Sequence, residues 1–514
     1  MIGKTEVLIN EKWQDISACS GVFVRVDDDR KIFIKSEDVP LKFVRITFES
    51  SLADENTAVL SDEWERAYGA MKWTRPDYSH IMPWYFAASC GGRVYCFGVK
   101  TQPNAFCSWQ MGSGKITLNI DIRNGSDGIL LGENELEACC MVSAEYDCDE
   151  FSALSDFCGK MCDKPRLPNH TVYGGNDWYC NYGDNSYEKI ITHTKRIVEC
   201  SPHGAQKPYM VIDDGWELCH HDERFTVSEE EREKYYFNGG PWRYCNSNFG
   251  DMKKLADEIT SLGAVPGIWF RPLWTIEKVP RSAVLKRDGI KTTFDPSSKE
   301  ALEIIANDVK TIRNWGYKLI KHDFSTFDIF GKWGFEAGKG DFDVHFADKT
   351  KTTAQIIKNF YETLRAAAGD DVLLMGCNTI SHLSAGIFEL QRTGDDTSGI
   401  EWERTKKYGI NTLAFRMTQH NKFYCADADC VGITKHISWD INRKWLDVLS
   451  KSGTALFVSI AEDAYTDEVK KDVSAAFKRA AVNKEASRAA DWMENPLPVK
   501  WVSAFGEDEY CWEN

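Results

Sequence analysis

No stretch of the 514-residue sequence approaches the roughly 20 apolar residues that a membrane-spanning helix needs. The opening segment, Met1-Ile-Gly-Lys-Thr-Glu-Val-Leu-Ile-Asn10, carries charges where a secretory leader carries its apolar core, so the chain reads as soluble and cytoplasmic. Basic charge is also scarce. The formal net charge of -16 argues against nucleic acid and anionic membrane as partners, since both are bound through basic patches. A neutral or cationic ligand is accommodated more easily. No Gly-x-Gly-x-x-Gly or Walker-type loop follows any strand-like segment, and there is no internal repeat or low-complexity tract. The 17 cysteines are odd in number and irregular in spacing, which points to free, mostly buried thiols in a reducing compartment rather than a disulfide scaffold. Cys139-Cys140 and Cys158-x-x-x-Cys162 have no further ligands spaced to complete a zinc set, so no metal and no cofactor are expected.

What the chain does contain is ample core material, with 43% hydrophobic and 12% aromatic residues. Its length predicts two or three domains, one of them large enough for a barrel. Most of the 18 tryptophans are expected in packing, and the rest offer apolar faces that suit the C–H face of a sugar ring.

Residues 1–165 alternate short apolar runs with turn signals, as in Gly21-Val-Phe-Val-Arg-Val26, Lys31-Ile-Phe-Ile-Lys35, Lys42-Phe-Val-Arg-Ile-Thr-Phe48 and Arg93-Val-Tyr-Cys-Phe-Gly-Val99. Period-two alternation with Asp-Asp, Gly-Gly and Asn-Gly punctuation predicts an N-terminal antiparallel β-sandwich. The segment 158–170, with Pro165 and Pro168, reads as a linker. From 171 the pattern changes to apolar strands at 172–178, 209–213, 264–270, 317–322, 372–377, 389–394, 422–426 and 455–460. Helical stretches fall between them, for example 298–315, 352–368, 401–419 and 439–450. Eight strands alternating with helices over 171–482 predict an α/β fold, a (β/α)8 TIM barrel, rather than a doubly wound sheet. Residues 483–514 read as a short C-terminal β segment. Segments 218–250 and 324–351 exceed simple connections and are expected to wall or cover a pocket.

Most predicted strands end in polar residues: Asp213-Asp214, Arg271, Asp323, Cys377-Asn378, Asp395-Asp396 and Asp427-Ala-Asp429. In a barrel these ends form the mouth, where active sites sit. Two carboxylates delivered there, Asp323 and Asp396, meet the requirement for cutting a glycosidic bond.

Asp213-Asp214-Gly-Trp216, Gly267-Ile-Trp269, Lys321-His-Asp323, Gly376-Cys377 and Arg392-Thr-Gly-Asp-Asp396-Thr resemble, in order, the motifs of the retaining α-galactosidases (melibiases) of glycoside hydrolase clan D. The resemblance runs from about 171 to 465. It implies release of terminal α-galactosyl residues from oligosaccharides or glycoconjugates by double displacement through a glycosyl-aspartate. On that resemblance Asp323 is the nucleophile and Asp396, four residues after Arg392, is the acid/base. Asp395 competes for the second role; neighbours on extended backbone point to opposite sides, so one of the two is expected to face the pocket. Lys321 is expected beside Asp323, binding a sugar hydroxyl. Asp213 and Asp214 match the pair that accepts hydrogen bonds from the 4- and 6-hydroxyls. Trp269 and Trp178 match aromatics near the sugar, with barrel filling as the alternative. Cys377 matches a cysteine near the 2-hydroxyl or is a buried small hydrophobe, and Asp429 is a second-tier candidate. Arg271, Ser325 and Asn378 depart from the family pattern, and Arg271 is expected to add a donor to the pocket rim. The two carboxyl groups should stand about 5 to 5.5 Å apart if the reaction retains configuration. An α-N-acetylgalactosaminidase, a transglycosylase, a non-catalytic sugar-binding relative and a metal-dependent barrel lyase or isomerase remain alternatives, and a homo-oligomer is left open.

Overall fold

The computed structural model describes residues 3–52, 56–68, 71–204, 206–218, 239–286, 293–334 and 343–513. Twelve strands come first: β1 (Lys4–Ile9), β2 (Lys12–Asp15), β3 (Val22–Val26), β4 (Lys31–Ser36), β5 (Phe43–Glu49), β6 (Ala58–Ser61), β7 (Asp77–Pro83), β8 (Tyr85–Cys90), β9 (Arg93–Val99), β10 (Phe106–Gly112), β11 (Lys115–Asp121) and β12 (Leu136–Tyr146). They form two antiparallel six-stranded sheets, ordered β2-β1-β5-β11-β10-β7 and β3-β4-β12-β9-β8-β6. The alternation is visible in β4, where Ile32, Ile34 and Ser36 are buried and their neighbours are partly exposed. Ser113-Gly114, at φ 51° and 74°, closes the β10–β11 hairpin with the left-handed pair that a tight two-residue turn requires. The segment read as a linker begins inside a helix, Glu150–Met161, which buries Ala153, Leu154, Phe157, Cys158 and Met161.

Eight parallel strands then close a barrel: β13 (Tyr173–Asn176), β14 (Tyr209–Ile212), β15 (Val265–Phe270), β16 (Leu319–His322), β17 (Leu373–Gly376), β18 (Leu390–Arg392), β19 (Cys425–Ile433) and β20 (Ala455–Ile460). A small antiparallel sheet follows, of β21 (Arg488–Ala489), β22 (Lys500–Ser503) and β23 (Gly506–Glu509). This is the sandwich–barrel–β-segment fold expected from the sequence. Local signals set the helix starts: Ser298 caps Lys299–Asn314, and Thr352 with Gln355 makes a capping box at Thr353–Ala368. Among the described residues no helix is long and apolar enough to cross a membrane, and every cysteine is a free thiol.

Two elements differ from the sequence reading. The seventh barrel strand runs over Cys425–Ile433 rather than 422–426, because Asp427 and Asp429 lie within it, buried against the Arg392 guanidinium. Asp429 has φ 70° at a register shift in the β19–β20 pairing; a non-glycine there costs roughly 1–2 kcal/mol. Its carboxylate offsets that cost by accepting bonds from Tyr179, Thr397 and Arg392. The helix expected over 401–419 runs from Trp402 to Gln419 but carries a wider-turn segment within it, Thr405–Asn411, whose Asn411 amide bonds Met71 and Pro496.

The sandwich packs against the barrel through one continuous core. His382 stacks on Trp84 at 4.9 Å and donates from Nε2 to the Val99 carbonyl at 2.9 Å, while Asp62 and Arg416 form a buried ion pair.

His322 points away from the mouth into a box of Phe360, Tyr361 and Phe388. It is 1% exposed, and among the described residues neither ring nitrogen has a partner. Burial pushes the imidazole down to about 3. The unfolded chain takes up that proton near pH 6.5, so the folded state loses stability as pH falls from 6.5 towards 3. His322→Leu should therefore lose about 2 kcal/mol less than wild type between pH 7 and pH 5. At pH 7 it should be at least as stable, since it removes two unsatisfied polar atoms. Urea unfolding at the two pH values measures both quantities.

Candidate active site

The ends of β14, β15, β16 and β18 converge on a cavity of about 440 Å³, within the range of small-molecule sites. Lys321 and Asp323 share one face of β16 and its continuation, with His322 on the other, as strand alternation requires. Trp269 lies opposite Lys321 in the β15–β16 register and donates from Nε1 to Asp323 Oδ2 at 3.0 Å. Phe324, in the left-handed conformation at φ 63°, turns its own N–H onto Asp323 Oδ1 at 2.8 Å. Asp323 is thus clamped by two neutral donors and is 8% exposed, at the floor of the cavity.

Lys321 is not Asp323's partner. Its Nζ lies 2.7 Å from Asp213 Oδ2, which also accepts from Asn176 Nδ2 at 2.6 Å. Burial draws the Lys321 ammonium down, but the Asp213 carboxylate and smaller contributions from Cys377 and Asp429 together outweigh it and hold the ammonium well above the ordinary lysine range. The backbone of Asp213 donates to Asp177, whose carboxyl burial pushes up to about 6. Asp214 donates its N–H to Asp213 Oδ1 at 2.9 Å, so the acidic pair is set by a local turn. Glu217, also buried, has its carboxyl pushed up by burial and by the neighbouring Asp214.

On the opposite side Arg392 is 2% exposed and spends its donors on three carboxylates: Asp427 at 3.1 Å, Asp429 at 2.9 Å and Asp396 at 3.2 Å. Both Asp395 and Asp396 line the cavity, where one alone was expected. The reason is that β18 ends at Arg392, so strand alternation does not extend to 395–396. Asp395 is the more enclosed, 19% exposed against 40%, and pairs with Arg66 and Arg404.

Of the residues picked out from the sequence, Asp213, Asp214, Trp178, Trp269, Lys321, Asp323 and Asp396 line this cavity together. Trp178 does so from the first residue of a one-turn helix after β13. Arg392 and Cys377 stand one contact behind; the Cys377 thiol is buried, pushed up by that burial, and accepts from Arg66 at 3.4 Å. Arg271 does not reach the rim. It is 1% exposed and bound by two donors to Asp328, at 3.0 and 2.5 Å, with Phe324 covering its guanidinium. A buried guanidinium needs such a counter-charge, and Asp328 supplies it behind the cavity wall. Asn378 turns its amide onto Glu65 and Tyr68, and Ser325 donates to the Asn378 carbonyl, so these two departures are occupied by the framework.

The cavity also takes Arg66, Tyr68, Phe324, Trp333 and Arg404, none of which was singled out as a site residue. Arg66 and Tyr68 come from the sandwich; the aromatic and charged run Trp64-Glu-Arg-Ala-Tyr68 between two strands was the available signal. Of the long segments expected to wall the pocket, 219–238 and 335–342 lie outside the described residues. Phe324 and Trp333 do line it, and Trp242 packs behind Trp269 with ring centroids 5.7 Å apart.

No protein-family model matches the chain. Among solved structures it is similar to an α-galactosidase from Thermus thermophilus, TtGalA, in complex with p-nitrophenyl α-D-galactopyranoside, at 15% identity and a TM-score of 0.63 over 98% of both chains. It is also similar to the GH36 α-galactosidase AgaA from Geobacillus stearothermophilus, at 13% identity and a TM-score of 0.64, covering 94% of this chain and 70% of that one. A third likeness is to the galactosidase domain of the α-galactosidase–sucrose kinase AgaSK, at 14% identity and a TM-score of 0.58, over 98% of this chain and 75% of that one. The chain therefore has the fold of these α-galactosidases, an antiparallel sandwich leading into a closed (β/α)8 barrel with a small sheet after it.

Proposed function

We propose that this protein is a retaining α-glycoside hydrolase that releases terminal α-galactosyl residues. The observation that carries this reading is the pair Asp323 and Asp396 on one cavity in unlike surroundings, the first clamped by neutral N–H donors and the second more open and beside guanidinium groups. Like surroundings would suit one shared role; unlike ones suit a division of labour. Asp323 attacks the anomeric carbon while Asp396 gives its proton to the departing oxygen; Asp396 then takes a proton from water, which releases the sugar from Asp323. Lys321 and the Asp213–Asp214 pair present a donor and acceptors for ring hydroxyls. An acceptor placed for an axial 4-hydroxyl is left unpaired by the equatorial epimer, which penalises glucose. Support for galactosides as substrates comes from the similar structures, TtGalA in complex with stachyose and an AgaA variant in complex with raffinose.

Hydrolysis of aryl α-galactoside, α-N-acetylgalactosaminide and α-glucoside, followed by proton NMR as product forms, tests the reading. The α-galactoside should be fastest, by about 100-fold or more over the glucoside, and α-galactose should appear before its β anomer. Initial release of β-galactose would refute the double displacement, and loss of activity on chelation would favour the metal-dependent class instead.

A further inference from the structure

The loop between β6 and β7 leaves the sandwich and enters the barrel mouth, where it is held at three points. Asp62 pairs with Arg416 at 2.8 Å, both buried. Glu65 accepts from the Asn378 amide at 2.9 and 3.0 Å and from the Gly334 N–H at 2.9 Å. Ala67 donates to the Thr393 carbonyl and accepts from the Asp395 N–H, at 2.9 and 3.0 Å, so that it runs parallel to Gly394 as a one-residue addition beyond β18. On its other side Gly394 lets the helical segment behind it approach, since a Cβ there would lie 2.1 Å from the Tyr408 carbonyl oxygen.

Arg66 sits between these anchors, its side chain 4% exposed. Nη2 lies 3.0 Å from Asp395 Oδ1; Nη1 lies 3.4 Å from Asp396 Oδ1 and 3.4 Å from Cys377 Sγ; Nε donates to Tyr68 at 2.9 Å. Arg392 Nη1 reaches the same Asp396 oxygen, at 3.2 Å. Two guanidinium groups from different parts of the chain therefore meet at Oδ1, and among the described residues Oδ2 of Asp396 takes no bond. One donor on one oxygen leaves the carboxyl free to swing about its last torsion, which is soft. A second donor from another direction removes that freedom.

We propose that Arg66, delivered by the sandwich, is a positioning residue for Asp396, completing from outside the barrel the side of the site that protonates the leaving group; this rests on the glycosidase reading above. In glycosylation the bond from the anomeric carbon to the departing oxygen breaks as the bond to Asp323 forms, and the Asp396 proton passes to that oxygen. Asp396 is left as a carboxylate between Arg66 and Arg392, whose attraction grows as the proton leaves, a gain realised in the transition state. Asp395, held by Arg66 and Arg404, is the counter-charge of this arrangement rather than a second acid.

Arg66→Met and Arg66→Lys test it through kcat/KM, which reports glycosylation, on alkyl and aryl α-galactosides and on α-galactosyl fluoride, whose leaving group needs little protonation. Arg66→Met should lose about 30-fold on the poorest leaving groups but no more than about threefold on the fluoride, with Arg66→Lys recovering part of the loss. Equal losses on both substrates, or none on either, overturn the proposal. Should Arg66→Met not fold, as judged by its urea unfolding curve, Arg66→Lys is held to the same criterion with a smaller contrast. Wild-type protein inert towards the fluoride as well as the glycosides would instead remove the glycosidase reading itself.

Discussion

Asp323→Ala is expected to lower kcat/KM on an aryl α-galactoside by about 10⁴-fold or more, equivalent to roughly 5.5 kcal/mol of transition-state stabilisation. The expectation follows from the place of Asp323 at the cavity floor, where among the described residues no other carboxylate shares its donors Trp269 and Phe324. The cost to folding should be modest, about 1–3 kcal/mol for leaving the Trp269 indole N–H without its acceptor. Asp323→Asn keeps an acceptor and should fold like wild type while being equally inactive. Azide sharpens the test. In the alanine variant it can occupy the vacated position and attack from the face opposite the leaving group, a single displacement that yields β-galactosyl azide. Substantial turnover without azide would remove Asp323 from the nucleophile's role.

Asp396→Ala should separate substrates by leaving group. With an alkyl α-galactoside kcat/KM should fall about 10³-fold, within the range of general acid catalysis, whereas 2,4-dinitrophenyl or fluoride substrates should lose about tenfold or less. Their glycosyl-enzyme should then accumulate, because the base that activates water is gone. Azide now enters from the side the aglycone left, so the product is α-galactosyl azide, with configuration retained. A loss independent of leaving group would deny Asp396 the proton transfer. The same measurement on Asp395→Ala distinguishes the two neighbours, since Asp395 is held by Arg66 and Arg404 and is the less exposed.

Most barrel strands could be read from the chain because they are short, largely apolar runs that the barrel buries almost completely. β20, where all of Ala455–Ile460 is buried, coincides with the expected 455–460. The helix Lys299–Asn314 lies one residue inside 298–315 at each end, because Ser298 caps it. β19 differs from its expected range because its interior aspartates look like a polar strand end; their burial makes sense once Arg392 is known to be beside them. The site residues found in advance belong to short motifs at strand ends, where the barrel's geometry sends them to one mouth.

Local periodicity thus sufficed for the fold class and for the carboxylates at the strand ends, since both depend on residues a few positions apart; Trp178, Trp269 and Lys321 came from the family resemblance. Pairing was beyond its reach. Lys321 meets Asp213 across 108 positions of chain and Arg66 meets Asp396 across 330. The turning of Arg271 inward to Asp328 leaves no local mark, and the sandwich loop leaves only the aromatic and charged run 64–68, which does not say what it meets. The interaction between two charges varies with their separation in space and with the burial around them. Both are set by how the sandwich and barrel close on one another, so the carboxylates were legible from the strand ends while the cations that hold them emerged from the packing.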